Sequence, residues 1–267
     1  MGKYSGKLLL SDLDGTLLDN GGIVSEDNKI AIREFTENGG LFGVATGRSH
    51  QNFRKFMDGV EINAPCILYN GCALYDSGKD MFLDAVYLPV QRLRGWVEYC
   101  LRFHPEVMMH IYTPDSCRIV SSEEKGNPGI FSDHQPALYS GFEEVLNKQW
   151  LKILAYGKPA ELKEIEKKLI EMEIQDEVHH VYSSDVYLEI LPPTATKGLM
   201  LERLRDILGS GVRIFAVGDY MNDLEMIASA DVGIAMGNAS QIIKDTADVV
   251  TVTNDESAIA EIIRNIV

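Results

Sequence analysis

Residues 7–18 constrain the fold most: an apolar strand, Lys7 to Ser11, runs straight into two carboxylates, Asp12 and Asp14, and then into a Gly15-Thr16 turn. Side chains alternate along an extended chain, so Asp12 and Asp14 are expected to point the same way and share one metal ion and one substrate. Two carboxylates that close repel each other unless a cation sits between them. An Asp-x-Asp pair by itself is commoner in solvated turns. The rest of the chain decides which reading holds.

Short β-rich runs alternate with helical periods, the pattern of a parallel sheet flanked by helices. Ser25 caps a helix running to about Asn38, and Gly39-Gly40 ends it. Leu41 to Ala45 is the next strand, a helix after Thr46-Gly47-Arg48 runs through Phe53 and Phe56, and Cys66 to Tyr69 forms a third strand before the Asn70-Gly71 turn. A different texture fills residues 85–190. It holds a helix with Leu93, Trp96, Val97, Cys100 and Leu101, strands at 107–112, 117–121 and 151–156, and a loop at Gly126-Asn127-Pro128-Gly129. A helix with Leu162, Ile165, Leu169 and Met172 and strands near 178–182 and 187–191 complete it. Linkers are expected at Asp84 to Tyr87 and at Pro192-Pro193. The βα rhythm then resumes, with strands at 212–217, 232–235 and 249–252 and a helix after each. The core is thus split by an insertion.

The 267 residues, 45% hydrophobic, suffice for packed cores, and no apolar run approaches the roughly 18–20 residues of a membrane span. The formal charge of −15 with no basic stripe argues against a nucleic-acid or membrane-surface partner. A cytoplasmic protein, a monomer or weak homo-oligomer, is expected. Gly6 stands where a myristoylation signal needs Ser or Thr. Cys66, Cys72, Cys100 and Cys117 form no C-x-x-C pair and read as reduced packing thiols. His179-His180 has no Cys or carboxylate at ligand spacing and reads as a surface or strand-edge pair.

Four elements fall at the carboxyl ends of expected core strands, where open α/β sheets place their sites. They are Asp12-x-Asp14, Thr46-Gly47-Arg48, Lys197 at a helix start, and Gly218-Asp219-Tyr220-Met221-Asn222-Asp223. Thr46, Gly47 and the adjoining N–H groups suit a phosphate oxygen, and Lys197 adds a compact positive charge. Hard oxygen ligands favour Mg²⁺ over zinc. A calcium-loop reading of Asp12 to Asp19 fails because its glycine is fourth in the loop instead of sixth.

Asp12-Leu13-Asp14-Gly15-Thr16, Thr46, Lys197 and Gly218-Asp219-x-x-x-Asp223 match in order the four motifs of the haloacid dehalogenase (HAD) superfamily. With the insertion between the second and third, and with Asn70-Gly71 and Leu188-Glu189-Ile190-x-Pro192, the chain resembles the Cof-type branch nearly throughout. The resemblance implies an α/β fold: a Rossmann-like, mostly parallel sheet with helices on both faces as the catalytic core (1–84 and 192–267), and an inserted α+β cap (85–191) that sets substrate specificity. It also implies roles. Asp12 would be the nucleophile and Asp14 the general acid and base. Asp12, Asp219 and the Asp14 carbonyl would bind Mg²⁺, with Asp223 in the metal's outer sphere. Thr46, Gly47, Lys197 and Asn222 would hold the phosphoryl oxygens.

An acid at position 14 points to a phosphatase or a phosphomutase. The expected partner is a small phosphorylated metabolite, a sugar phosphate or related phosphomonoester. The cap residues His110, Tyr112, Arg118 and Tyr187 are candidates to read the leaving group, but packing or solvated roles are the favoured reading of each, and none is counted as a site residue. A non-catalytic metabolite sensor is a third reading, and it leaves Asp14 without a purpose. Tyr220 departs from the Asn usual in that branch, and Pro193-Thr194-Ala195 from its glycine-containing lead into the lysine.

Overall fold

The computed structural model describes residues 2–121 and 137–267; the expected Gly126–Gly129 loop lies outside the described residues. The chain divides into two compact units, Met1–Asp84 with Thr196–Val267, and Ala85–Ala195.

The first unit is built on a five-stranded parallel sheet of β1 (Lys7–Ser11), β2 (Leu41–Val44), β12 (Arg213–Gly218), β13 (Val232–Ala235) and β14 (Val249–Val250), in the order β14-β13-β12-β1-β2. Leu8, Leu9 and Leu10 are all fully buried, as befits a strand with a parallel neighbour on each side and both faces covered. Among the covering helices, α1 (Glu26–Glu37) packs on α8 (Ala258–Asn265), and α5 (Lys197–Leu208) packs on α6 (Leu224–Ser229). A Cβ on Gly198 would come 2.6 Å from the Glu225 Cβ, so the last two helices meet closely where α5 begins.

Two parts of this unit differ from the sequence reading. The helix expected through Phe56 is a single turn, α2 (His50–Phe53), continued by a 3₁₀ turn at Arg54–Phe56. There the Arg54 guanidinium bonds the Tyr75 hydroxyl, the Ser77 carbonyl and Asp80, which ties the chain to a neighbouring hairpin. That hairpin joins β3 (Cys66–Leu68), β4 (Ala73–Asp76) and β5 (Met81–Ala85), the last two unrecognised in the sequence. Beyond β2, the chain pairs in parallel with β3 through Ala45 and Ile67.

The second unit holds a six-stranded sheet ordered β10-β11-β9-β6-β7-β8, antiparallel except for β7 with β8. Its strands are β6 (Met108–Tyr112), β7 (Cys117–Ile119), β8 (Ala137–Tyr139), β9 (Lys152–Tyr156), β10 (His179–Ser184) and β11 (Tyr187–Leu191). Helices α3 (Val90–Phe103) and α4 (Pro159–Glu171) bury Leu93, Trp96, Leu162 and Ile165 against Met109, Ile111, Ile153 and Ile190, all of one sheet face. The His179-His180 pair sits on edge strand β10, and the four cysteines are buried thiols, none in a disulfide. No helix among the described residues is long and apolar enough to cross a membrane.

Trp96 is fully buried and its indole N–H donates to the Ile165 carbonyl at 2.8 Å, so this one side chain links α3 to α4. Trp96→Ala should lower stability by about 3–5 kcal/mol in urea unfolding. Phe103→Ala, at the exposed end of the same helix, should stay within about 0.5 kcal/mol of the parent.

Candidate active site

Parallel register gathers the site. Ser11 lies opposite Val217 on one side and Val44 on the other, Asp12 N donates to Val217 O at 2.9 Å, and Ala45 N donates to Ser11 O at 2.8 Å. The residues that follow these strands, Asp12, Thr46 and Asp219, therefore emerge side by side at the sheet's carboxyl edge. Lys197 arrives from elsewhere in the sequence as the first residue of α5, whose N-cap Thr196 accepts from Leu199 N at 3.0 Å.

The Lys197 side chain is fully buried, and its ammonium donates to Asp12 Oδ1 at 2.7 Å and to Asp223 Oδ1 at 2.6 Å. Asp223 Oδ2 accepts from the backbone N–H groups of Asp219 (3.1 Å) and Tyr220 (3.2 Å), so both of its oxygens are occupied by donors. Gly218 is obligatory here, because a Cβ would overlap the Asp223 carboxylate. Burial, and then the Asp223 charge, push the Asp12 carboxyl well above the usual carboxylate range, while Lys197 pulls it back. Burial works against the charge on Lys197, yet the two carboxylates outweigh it and hold its pKa above the ordinary value. Asp219, whose Oδ1 accepts from Thr16 Oγ1 at 3.1 Å, is raised to about 6 by burial and by Asp223.

Carboxylate oxygens of Asp12, Asp219 and Asp223 lie within 4.8 Å of one another. Three carboxylates against one ammonium leave an excess of negative charge in a buried space, and all the donors are hard oxygens. A small divalent cation such as Mg²⁺ fits this set, with Asp12 and Asp219 as side-chain ligands. Asp223, saturated by Lys197 and two amides, suits an outer-sphere position.

Asp14 is placed differently from the expectation of a shared direction. Regular strand ends at Ser11, and residues Leu13–Leu17 coil around Gly15 at φ +77°, so strand alternation no longer applies. The Asp14 carboxylate lies outside the buried cluster, 57% exposed, and is gripped by Arg48, whose Nε donates to Oδ2 at 2.8 Å and Nη2 to Oδ1 at 2.5 Å. Arg48 is itself fixed: its guanidinium lies 4.0 Å over the Phe56 ring, and Nη1 donates to Asn52 Oδ1 at 3.3 Å. Sequence reasoning placed Arg48 beside the phosphate loop without a task. In the sequence it is only a fork-shaped cation at the end of an expected core strand, and the pairing with Asp14, 34 positions away, comes from the fold.

On the phosphate side, buried Thr46 Oγ1 accepts from Arg48 N at 3.2 Å, and Gly47 has the Asn70 carboxamide against its Cα. Asn222, exposed, donates to Asn70 Oδ1 at 3.1 Å. Thr46, Gly47 and Asn222 are thus linked through a residue outside the four motifs.

In the second unit, the sheet face opposite its helices carries a buried ion pair, Lys152 Nζ to Glu189 Oε2 at 2.8 Å. Tyr112 has its ring 5.5 Å from that ammonium, and His110, on the same face, is pushed down to about 3 by burial and by Lys152. The Tyr187 ring stacks 5.4 Å from Tyr156, and Arg118 Nε donates to Ser116 Oγ at 2.8 Å.

Comparison with known proteins identifies what the chain is similar to. The chain is 28% identical over 263 residues to the 5-amino-6-(5-phospho-D-ribitylamino)uracil phosphatase YcsE of Bacillus subtilis (strain 168), covering 97% of this chain and 95% of that protein. It is 28% identical over 240 residues to the HMP-PP phosphatase of Yersinia enterocolitica, covering 87% and 84%. The crystal structure of a haloacid dehalogenase-like hydrolase from Bacteroides thetaiotaomicron superposes with a TM-score of 0.85 at 26% identity, over 99% of this chain and all of that one. The haloacid dehalogenase-like hydrolase family model matches residues 9–263, and with the motif residues converging at one sheet edge, the chain belongs to that family of hydrolases.

Proposed function

We propose that the protein is a Mg²⁺-dependent phosphatase of a small phosphorylated metabolite, a sugar phosphate or related phosphomonoester, working through an aspartyl-phosphate on Asp12. The buried Asp12–Lys197–Asp223 contact carries this reading, because it aims one oxygen-nucleophile at a place where an ammonium already stands to meet phosphoryl charge. The names of relatives that hydrolyse phosphorylated small molecules support it.

Asp12 forms a bond to phosphorus as the ester P–O bond breaks, and Asp14 gives its proton to the departing alkoxide. Asp14 then takes a proton from water, which attacks phosphorus, breaks the acyl-phosphate P–O bond and returns Asp12 with inorganic phosphate. Lys197, Thr46, the Gly47 N–H and Asn222 bind the phosphoryl oxygens throughout. Asp12, Asp219 and the Asp14 carbonyl would hold Mg²⁺, which when bound supplies Lewis-acid neutralisation of phosphoryl charge. Arg48 holds the Asp14 carboxylate outside the buried cluster, and that pairing has to loosen for Asp14 to carry the proton it donates. Unit 85–195, inserted between the second and third motifs, is assigned the selection of leaving group.

The test is phosphate release with Mg²⁺ from a panel of sugar phosphates, nucleotides and phosphorylated cofactors, including 5-amino-6-(5-phospho-D-ribitylamino)uracil, with Asp12→Asn as the blank. Release above the blank supports hydrolysis; transfer of the phosphoryl group to a second hydroxyl makes the protein a mutase.

Asp12→Asn should fold, bind substrate and form no hydroxylamine-sensitive phosphoenzyme. Asp14→Asn should keep substrate affinity and lower kcat by about 10²–10⁴-fold. Arg48→Lys, which cannot make a two-pronged contact, is expected to lower kcat on the order of tenfold with little change in KM.

Mg²⁺ at ten times its Kd should stabilise the fold by about 1.4 kcal/mol, a rise in Tm of roughly 3–6 °C that EDTA reverses and Asp219→Asn removes. With Asp219 raised to about 6, the ionised form needed by the metal dominates at pH 8 and is lost as pH falls through 6, so the rise should fade in that direction.

A further inference from the structure

The turn between β3 and β4 has no part in the mechanism above, yet its backbone is the most unusual of the first unit. Tyr69, Asn70 and Gly71 have successive φ values of +56°, +57° and +95°. Side-chain-bearing residues avoid this region, and two in a row persist only where their surroundings over-determine them. The surroundings here are the phosphate-binding loops. Tyr69 N donates to Arg48 O and Asn70 N to Thr46 O, both at 3.1 Å. A Cβ on Gly71 would overlap the Thr196 carbonyl, so the turn packs directly on the peptide that leads into Lys197. The Asn70 carboxamide lies across Gly47, where a Cβ would come 2.8 Å from Oδ1 and 3.0 Å from Nδ2, and the same Oδ1 accepts from Asn222 Nδ2 at 3.1 Å.

We propose that Asn70 is a positioning residue of the phosphate site: its carboxamide orients the Asn222 amide and sets the gap between Asn222 and the Thr46-Gly47 loop. The inference rests on the phosphatase reading of the same site. Asn222 is exposed, and a lone exposed carboxamide would sample several rotamers. Tied to Asn70, it presents its remaining donor in one direction before the phosphoryl group arrives, and such pre-organised donors stabilise developing charge best. Asparagine suits position 70 on two counts: it tolerates left-handed backbone better than other side chains, and it is neutral beside an incoming dianion.

Asn70→Gly tests this without straining the turn, because glycine accepts φ +57° and only the carboxamide is lost. In the full-length protein with Mg²⁺, inorganic phosphate affinity is read by calorimetry, and kcat and KM with p-nitrophenyl phosphate. Asn70→Gly should weaken phosphate binding and lower kcat, each on the order of tenfold, with Tm within a few degrees of the parent. In an Asn222→Ala background the same substitution should change neither, since its effect runs through Asn222. Parent-like phosphate affinity and kcat in Asn70→Gly, or losses that multiply independently with those of Asn222→Ala, overturn the assignment. A parent that binds phosphate but turns over no ester, with binding lost in Asn70→Gly, upholds Asn70 and refutes the phosphatase reading. A parent that neither binds phosphate nor hydrolyses an ester overturns both.

Discussion

One buried ammonium organises the catalytic unit. Lys197 has no contact with water, so its charge is tolerable only because Asp12 and Asp223 stand within 2.7 Å on two sides. Those three residues come from the position just after β1, from the start of α5 and from the turn after β12, and each element must stop where it does for the contacts to close. The lysine solves only part of the electrostatic problem it sits in. Asp219 joins the same cluster, which leaves carboxylates in excess and makes the site a receptor for further positive charge. The same excess would repel a phosphate dianion, so the proposed phosphatase needs its cation in place for the substrate to bind.

Asp12, Lys197 and Asp219 were legible in the sequence because each follows an apolar run or opens a helical period, and parallel pairing then forces strand ends together. What escaped was every contact made by residues between those landmarks. Strand alternation does not predict the direction of Asp14, because the strand has already ended at Ser11 and Gly15 turns the chain. Strands β4 and β5 went unseen because neither has strict alternation, and the Lys79-Asp80 stretch between them reads as loop. Asn70-Gly71 reads in the sequence as a hairpin-type turn and as a mark of the Cof-type branch, with no task for the side chain. The reach of Asn70 to Asn222 spans 152 positions, and no local pattern encodes a contact of that kind.

The two aspartates of the first motif have opposite environments, and that contrast matches the two tasks proposed for them. Asp12 is buried, bonded to Lys197 and unable to wander, as suits a group that must meet phosphorus in line. Asp14 is mostly exposed and attached to a guanidinium that is itself stacked on Phe56. A group that donates a proton to a leaving alkoxide and later takes one from water has to stand where both can reach it. Exposure with a tether serves that exchange, whereas burial among the other carboxylates would add repulsion and remove access.

On the proposed function, the buried groups of the site, Asp12, Thr46, Lys197 and Asp223, serve the transferred phosphoryl group, which all phosphomonoesters share, and the cation beside it. None of them can tell one ester from another. Discrimination, on the same proposed function, is left to groups outside the buried set, among them the exposed Asp14, Tyr220 and Met221 of the first unit. Tyr220, 67% exposed and next in the chain to Asp219, is a large amphipathic surface that the proposed reaction would bring against a leaving group rather than a phosphate. A fixed phosphate site with a variable rim lets the rim change its choice of ester while the charge arithmetic around Lys197 stays intact.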